Sequence, residues 1–181
     1  RTKDNKVVHV SISTLCADDQ KFVLASTPPE IDIDVVEITE TKNEGFGGGR
    51  RGGFQIQYGT VQFKVTLTKE SMIPYTGGQM TAEVYIIGSQ KMEGRYGLLG
   101  KTVGTFTYDD LDGGKYEFRT SDINMKQFQA GGTMGAEYEG FYVVLVDEKG
   151  RVFKTRGSRA MFEEHAETIR SQGQGDVIDQ D

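Results

Sequence analysis

The sequence has no tryptophan, one cysteine and two histidines, and each shortage argues against a class of site. With Cys16 alone, the chain forms no intrachain disulfide and no zinc site built on cysteine pairs. With only His9 and His165, a Ser-His-Asp arrangement has little material to draw on. Without tryptophan, the chain lacks the stacking platform that carbohydrate-binding sandwiches commonly use. We therefore expect no cofactor and no metal ion.

Long apolar runs and excess positive charge are also missing. The longest apolar run, Phe141 to Val146, is far shorter than the roughly 20 residues that cross a bilayer, so no membrane span is expected in this chain. The net charge of −6 and the pI near 5.1 work against binding to nucleic acids or anionic membranes. The chain begins with Arg1 instead of methionine, which is compatible with a leader that has been removed.

What is present is the pattern of an all-β domain. Apolar and polar residues alternate in short segments such as Val8–Thr14, Ile31–Thr41 and Met80–Ile86, and glycines separate the segments. No helical pattern lies between these segments, so parallel crossovers are excluded. We expect two packed antiparallel sheets, with a bulge at Val35–Val36 and either a bulge or a sharp bend between sheets at Gly59, where the alternation changes phase.

Two hairpins follow from turn chemistry in the second half of the chain. The segments 103–108 and 115–120 flank D-D-L-D-G-G, which predicts a hairpin connection. The segments 138–146 and 151–155 flank D-E-K-G and predict a second, tighter hairpin.

The domain organisation predicted from these patterns has four parts. Residues 1–6 form a flexible tail, 7–157 the β-sandwich, 158–172 an amphipathic helix and 173–181 an acidic flexible tail. In the helix, one apolar stripe must be buried either on the chain's own sandwich or on a neighbouring copy. The stripe, a candidate oligomer or helix-docking contact, consists of Phe162, Ala166 and Ile169.

Three motifs suggest ligand sites, and their surroundings argue against each. Gly47, Gly49 and Gly52 fit G-x-G-x-x-G, but strand alternation follows where a dinucleotide site needs a helix. The segment 100–102, G-K-T, lacks the earlier glycine of a phosphate-binding loop. Asp109, Asp110 and Asp112 do not have the spacing of a helix-loop-helix calcium site, and we expect them to bind local backbone donors.

The stretch 43–53, N-E-G-F-G-G-G-R-R-G-G, is predicted to be a flexible connection between two strands. Its two arginines, Arg50 and Arg51, support an alternative in which this loop contacts an anion or a nucleic acid. We expect trypsin to cut the folded chain first at these arginines.

Nothing in the sequence selects a catalytic residue. Cys16 is expected to be a buried or inert thiol at a strand end, beside the charges of Asp18 and Asp19. We therefore expect a protein that is not an enzyme. A hydrolase with an unrecognised site stays as a further alternative, and it would need a pocket that gathers several carboxylates with shifted pKa values.

The segment A-E-Y-E-G, from Ala136 to Gly140, resembles the A-x-Y-x-C entry to strand F of immunoglobulin domains. The resemblance implies an immunoglobulin-like sandwich in which Tyr138 makes the structural tyrosine corner. Gly140 stands where that family has its cysteine, so the family's disulfide core is absent.

The whole chain, and most clearly Y-E-G-F-Y-V-V-L-V-D-E-K-G-R-V-F-K, resembles exported immunoglobulin-like proteins encoded beside type IV pilus genes in Akkermansia and its Verrucomicrobial relatives. This resemblance implies an exported, cell-envelope or pilus-associated location. Pilus subunits have a long apolar N-terminal helix, which this chain lacks. We expect a non-enzymatic interaction or structural module that contacts a protein partner or forms a homo-oligomer through sheet edges, loops and the terminal helix.

Overall fold

The structure is a computed structural model and describes residues 10–47, 54–71, 73–90, 95–129, 133–173 and 177–178. This part of the chain contains nine strands: β1 (Ile31–Gly47), β2 (Phe54–Lys69), β3 (Met80–Gln90), β4 (Arg95–Phe106), β5 (Lys115–Arg119), β6 (Ile123–Gln129), β7 (Thr133–Val146), β8 (Val152–Gly157) and β9 (Val177–Ile178). Its α-helices are α1 (Ala17–Ser26), α2 (Ala160–Glu164) and α3 (Ala166–Ser171).

The strands form two antiparallel sheets that share one strand. In sheet I, β2 lies between β1 on one side and both β5 and β6 on the other. In sheet II, β3 lies between β4 and β7, while β8 pairs with the other side of β7 and β9 with β4. The first residues of β7 pair with β6 and the rest pair with β3, so β7 passes from one sheet to the other.

The main core fills the space between the two sheets. Alternate residues of β1 and β2 meet alternate residues of β3 and β7, which follows from the period of two in a strand. The fully buried side chains include Ile31, Ile33, Phe63, Val65, Val84, Ile86, Val143 and Leu145. The predicted all-β sandwich of two antiparallel sheets is confirmed.

The C-terminal helices form a third layer on the outer face of sheet II. Phe162 and Ile169 are buried there against Tyr85 and Tyr142. The ring of Phe162 meets the ring of Tyr96 edge to face, with 5.9 Å between centroids. The predicted short C-terminal helix is therefore present, as two pieces that meet at His165.

The N-terminal segment differs from its prediction. In the described part of 8–14, Ile12–Thr14 is a 3-10 turn instead of a strand, and α1 follows. Cys16 caps this helix, since its sulfur accepts a hydrogen bond from the Asp19 N–H at 3.4 Å. Asp18 and Asp19 in the first turn favour this helix, because negative charge is stabilising at a helix N-terminus. The expected position at a strand end is therefore wrong, since Cys16 caps a helix, and the residue is exposed instead of buried.

The predicted hairpin around D-D-L-D-G-G is wrong. β4 belongs to sheet II, whereas β5 pairs with β2 in sheet I, so this connection crosses between the sheets. Two anchors account for the crossing. Leu111 is fully buried in the core, and the Tyr108 hydroxyl donates to main-chain oxygens of Ser71 and Ile73, both at 2.9 Å.

Neither predicted bulge is present. The pairing of β1 with β2 is continuous from Ile31 to Glu44, through both Val35–Val36 and Gly59. The β1–β2 ladder is therefore unbroken at both positions where the apolar pattern changes phase. The register shifts lie elsewhere, among them at Ile86–Ile87 in β3.

The two ends of the sandwich differ. Three hairpins have their last described pairs at one end, namely Gly47 with Phe54, Gln90 with Arg95 and Gln129 with Thr133. β1 and β8 begin at the opposite end, where α1 lies. The final hairpin, β7 to β8, is confirmed, and Gly150 takes the left-handed conformation in its turn, with φ of 78°.

Candidate functional site

Strand β1 forms an edge of sheet I over its whole length of 17 residues. It pairs with β2 on one side, and no other described strand pairs with it on the other side. The strand is about three times as long as a typical strand of 5–6 residues. An edge of this length presents a row of main-chain donors and acceptors to another chain.

Two hydrogen bonds identify which β1 residues point toward the free side. The Glu70 N–H donates to the Glu30 oxygen at 3.0 Å, so the main-chain N–H and C=O groups of even-numbered residues point toward β2. The Arg156 guanidinium donates to the Ile33 oxygen, so the main-chain N–H and C=O groups of odd-numbered residues point away from β2. Because successive residues alternate and the register is continuous, the main-chain groups of Val35, Glu37 and Thr39 point toward the free side.

Negative charge follows this edge. The segment 31–40 contains Asp32, Asp34, Glu37 and Glu40 and no lysine or arginine. Lys64, which lies opposite Val36 on β2, is paired with Glu117 at 2.9 Å. The described residues supply no ion pair to these four acidic residues, and all four are exposed.

Tyr138 lies behind this edge. Its ring packs against Phe63, with 5.6 Å between centroids. Burial raises the pKa of the Tyr138 hydroxyl well above its ordinary value, and the neighbouring Glu37 carboxylate raises this pKa further. The hydroxyl thus faces a side chain of the edge strand, and the tyrosine corner itself stays a prediction.

Below Arg156 the two sheets leave a groove between β1 and β8. The groove has a volume of about 540 Å³ and is lined by Pro28, Pro29, Glu30, Ile31, Glu70, Val152, Phe153 and Lys154. A narrower apolar cavity of about 90 Å³ continues beneath α1 and shares Pro28, Pro29 and Glu30 with the groove. Arg156 contacts β1 at Ile33, two residues along the strand from Ile31 of the groove lining.

The predicted stripe of Phe162, Ala166 and Ile169 packs on the chain's own sheet II. Phe162 and Ile169 are buried, and Ala166 is half-buried beside them. Of the two alternatives for burying this stripe, the structure shows docking on the chain's own sandwich.

A polar network fastens α3 to sheet II. The Glu83 carboxylate accepts hydrogen bonds from the Tyr85 hydroxyl at 2.8 Å, from Lys101 at 3.1 Å and from Arg170 at 3.3 Å. Burial alone would raise the pKa of Glu83, but these three donors outweigh it and lower that pKa. These hydrogen bonds therefore keep the Glu83 carboxylate ionised, which suits a structural role.

The predicted aspartate cluster acts locally. Asp110 accepts a hydrogen bond from the Thr107 N–H at 2.6 Å, which lowers the pKa of Asp110, and Asp112 pairs with Lys69 at 3.1 Å. The prediction that these aspartates bind local donors is confirmed for Asp110. Across the residues the structure describes, no group of His, Cys, Asp and Glu is arranged to hold a metal ion.

Two other predictions concern residues outside the described ranges. Arg50, Arg51 and His9 all lie there, so the anion or nucleic-acid alternative for 43–53 stays a prediction. Of the stretch 43–53, residues 43–47 belong to the paired strand β1 instead of a loop, and the flexible connection stays a prediction for the remainder. The segment G-K-T at 100–102 lies within β4, as its strand pattern predicted.

The free edge is the feature that sequence reasoning missed. Alternation identified the strand but not its place in the sheet, because pairing partners are distant in sequence. One signal was available, since Asp32 and Asp34 place charge on a strand and charge is common on edge strands. Charge alone does not distinguish an edge strand from the solvent-exposed face of a central strand.

Within the described ranges, no helix combines the length and the apolar character needed to cross a bilayer. No family model and no curated protein matches the chain. A crystal structure from Akkermansia muciniphila is similar at 14% identity and a TM-score of 0.26, over 77% of each chain. An X-ray structure of a Northeast Structural Genomics Consortium target is similar at 10% identity and a TM-score of 0.25, over 69% of this chain and 82% of that one. These similarities assign no family and no function.

Proposed function

We propose that the chain is a non-enzymatic interaction module of the cell envelope, which binds a protein partner by adding the partner's strand to the free edge of β1. In this mode of recognition an extended segment joins a sheet, and main-chain hydrogen bonds supply much of the affinity. Neighbouring side chains then decide which segment fits.

The observation that carries the proposal is the orientation of the β1 main chain. The N–H and C=O groups of Val35, Glu37 and Thr39 point away from β2 in one uninterrupted register. A strand laid against them gains the same ladder that β2 makes on the other side. Val36 is 49% exposed on the outer face beside these residues, so an added strand also covers apolar surface.

The direction of the resolved pKa shifts does not favour general acid-base catalysis at the described residues. General acid-base catalysis works best with a pKa near the working pH. In the described residues, the resolved shifts lower the pKa of carboxyl groups and raise that of lysines, of one arginine and of tyrosines. The affected groups are Glu83, Asp110, Glu117, Asp147, Lys69, Lys101, Arg170, Tyr75, Tyr85, Tyr138 and Tyr142.

The envelope location rests on the sequence resemblance of 138–154 to exported, pilus-associated proteins. Fractionation of cells that make the native protein tests it. Recovery in the cytosolic fraction would contradict the location without affecting the proposed binding mode.

The binding mode is tested with a neutral probe, an end-blocked nonapeptide that alternates threonine and valine. We expect the peptide to slow amide hydrogen exchange at Val35, Glu37 and Thr39. These amides point to the free side, whereas the amides of Val36 and Ile38 are already bonded to β2. An unchanged exchange rate at all three odd-numbered amides contradicts the proposal.

Two proline variants separate binding from folding. In Thr39→Pro the lost N–H is one that points to the free side, so the β1–β2 ladder stays intact and peptide binding is lost. In Glu40→Pro the lost N–H belongs to the ladder with β2, so thermal stability falls. If Thr39→Pro binds the peptide as well as the unmodified chain does, strand addition at this edge is ruled out.

A further inference from the structure

The acidic edge strand restricts which partner can pair with it. Building on the proposed function, we propose that β1 selects a strand of alternating apolar and basic residues, with lysine or arginine on the outer face of sheet I. The partner is thus a cationic extended segment of another protein.

The outer row of β1 carries the charge argument. Asp34, Val36, Ile38 and Glu40 follow one another on the outer face, and the residues opposite them in an added strand lie at cross-strand distance. Opposite charges in such pairs stabilise a sheet and like charges destabilise it. Since no described cation neutralises Asp34 or Glu40, an incoming lysine or arginine meets an unpaired carboxylate at both positions.

The same charges disfavour pairing between two copies of β1. In the antiparallel arrangement centred on Glu37, the two Glu37 side chains lie opposite each other and Asp34 lies opposite Glu40. Both contacts join like charges. Like charges therefore oppose symmetric self-association in this register.

The chain itself contains a precedent for a cation at this edge. Arg156 of β8 reaches the Ile33 oxygen, which is the first outward-facing carbonyl above the groove. Three acidic side chains lie within four residues of Ile33 along β1: Asp32, Asp34 and Glu37. Arg156 supplies a cation to the β1 edge at Ile33, and a partner's basic residues would supply cations to the same edge beyond Val35.

The test compares three end-blocked nonapeptides that alternate valine with lysine, threonine or glutamate. We expect the lysine peptide to bind roughly tenfold more tightly than the threonine peptide, and the glutamate peptide to bind more weakly than both. At 0.5 M NaCl the three affinities converge, because salt screens exposed charges. Thr39→Pro abolishes binding of all three, which excludes loose electrostatic attachment.

A double charge reversal, Asp34→Lys with Glu40→Lys, is the matched variant. Both residues are exposed, so the fold is retained, and the preference changes to the glutamate peptide. Equal binding of the three peptides, or an unchanged preference in the reversed variant, overturns the charge selection while strand addition stands. Binding by none of the peptides overturns the charge selection and the proposed function together.

Discussion

Arg156 on β8 donates a hydrogen bond to the main-chain oxygen of Ile33 on β1, and this contact joins the edge strands of the two sheets. β8 and β1 do not pair through their main chains, so the Arg156 side chain provides the hydrogen bond between them. The bond also satisfies a carbonyl of the β1 edge that β2 cannot reach.

We expect Arg156→Met to lower the free energy of unfolding by about 1–2 kcal/mol, because a hydrogen bond from a charged donor is lost. Urea denaturation measures the change. Arg119→Met, at an exposed position on β5, is the control and should have little effect. Equal stability of the two variants would show that the contact between β8 and β1 adds nothing.

Gly140 lies where β7 meets the C-terminal segment. A methyl group there would come within 2.1 Å of the Ser158 hydroxyl and 2.6 Å of the Phe162 ring. We expect Gly140→Ala to destabilise the fold by about 1–3 kcal/mol, the usual range for overpacking. Gly113→Ala, where nothing lies within 4 Å, should stay within about 0.5 kcal/mol of the parent. Thermal unfolding of both variants makes the comparison.

Two phenylalanines test the third layer in the same way. Phe162 is 2% exposed between the helices and sheet II, whereas Phe22 on α1 is 71% exposed. Phe162→Ala should cost about 3–5 kcal/mol, the range for buried aromatic truncations, and Phe22→Ala less than about 0.5 kcal/mol. Chemical denaturation with far-UV circular dichroism measures both. A cost below that of Phe22→Ala would mean that the helices do not contribute to the stability of the sandwich.

Acid should weaken the β7–β8 turn through Asp147. Burial would raise the pKa of its carboxyl, but hydrogen bonds from the Arg151 N–H and guanidinium and from the Lys149 N–H outweigh burial and lower that pKa. A lowered folded-state pKa means that the stabilisation is complete above the ordinary value of 3.8 and is lost as the pH falls through the folded value.

We therefore expect Asp147→Asn to lower the melting temperature by about 4 °C at pH 7 and to differ progressively less from the parent as the pH falls from 4 toward 2. Glu148→Gln, at the exposed neighbouring position, should leave the melting temperature unchanged. A difference between Asp147→Asn and the parent that is constant from pH 7 to pH 2 would refute this assignment.

Sequence patterns predicted the parts of the fold that depend on near neighbours. The final hairpin follows from the alternation of 138–146, the glycine turn and 151–155, and the helical stripe from the spacing of Phe162 and Ile169. α1 was missed because its segment is short, although Asp18 and Asp19 stand where a helix favours negative charge.

The parts that depend on distant neighbours could not be predicted. D-D-L-D-G-G fits both a hairpin and a crossing between sheets, and the choice depends on where Leu111 and Tyr108 find burial and acceptors. The free edge of β1 could not be predicted for the same reason, because it depends on which strand lies at the edge of the sheet. Gly59 is a different case, because the apolar pattern changes phase there while the β1–β2 pairing continues without a bulge.

The length and straight register of β1 determine how the module would carry mechanical load. Hydrogen bonds to an added strand run perpendicular to the strand axis, so tension along that axis shears many of them at once. The two ends of the β1–β2 hairpin lie at the same end of sheet I, since Ile31 lies opposite Lys69. Tension between those two ends would therefore break the β1–β2 hydrogen bonds one at a time. Attachment along the edge of β1 would therefore resist force better than the hairpin that provides it.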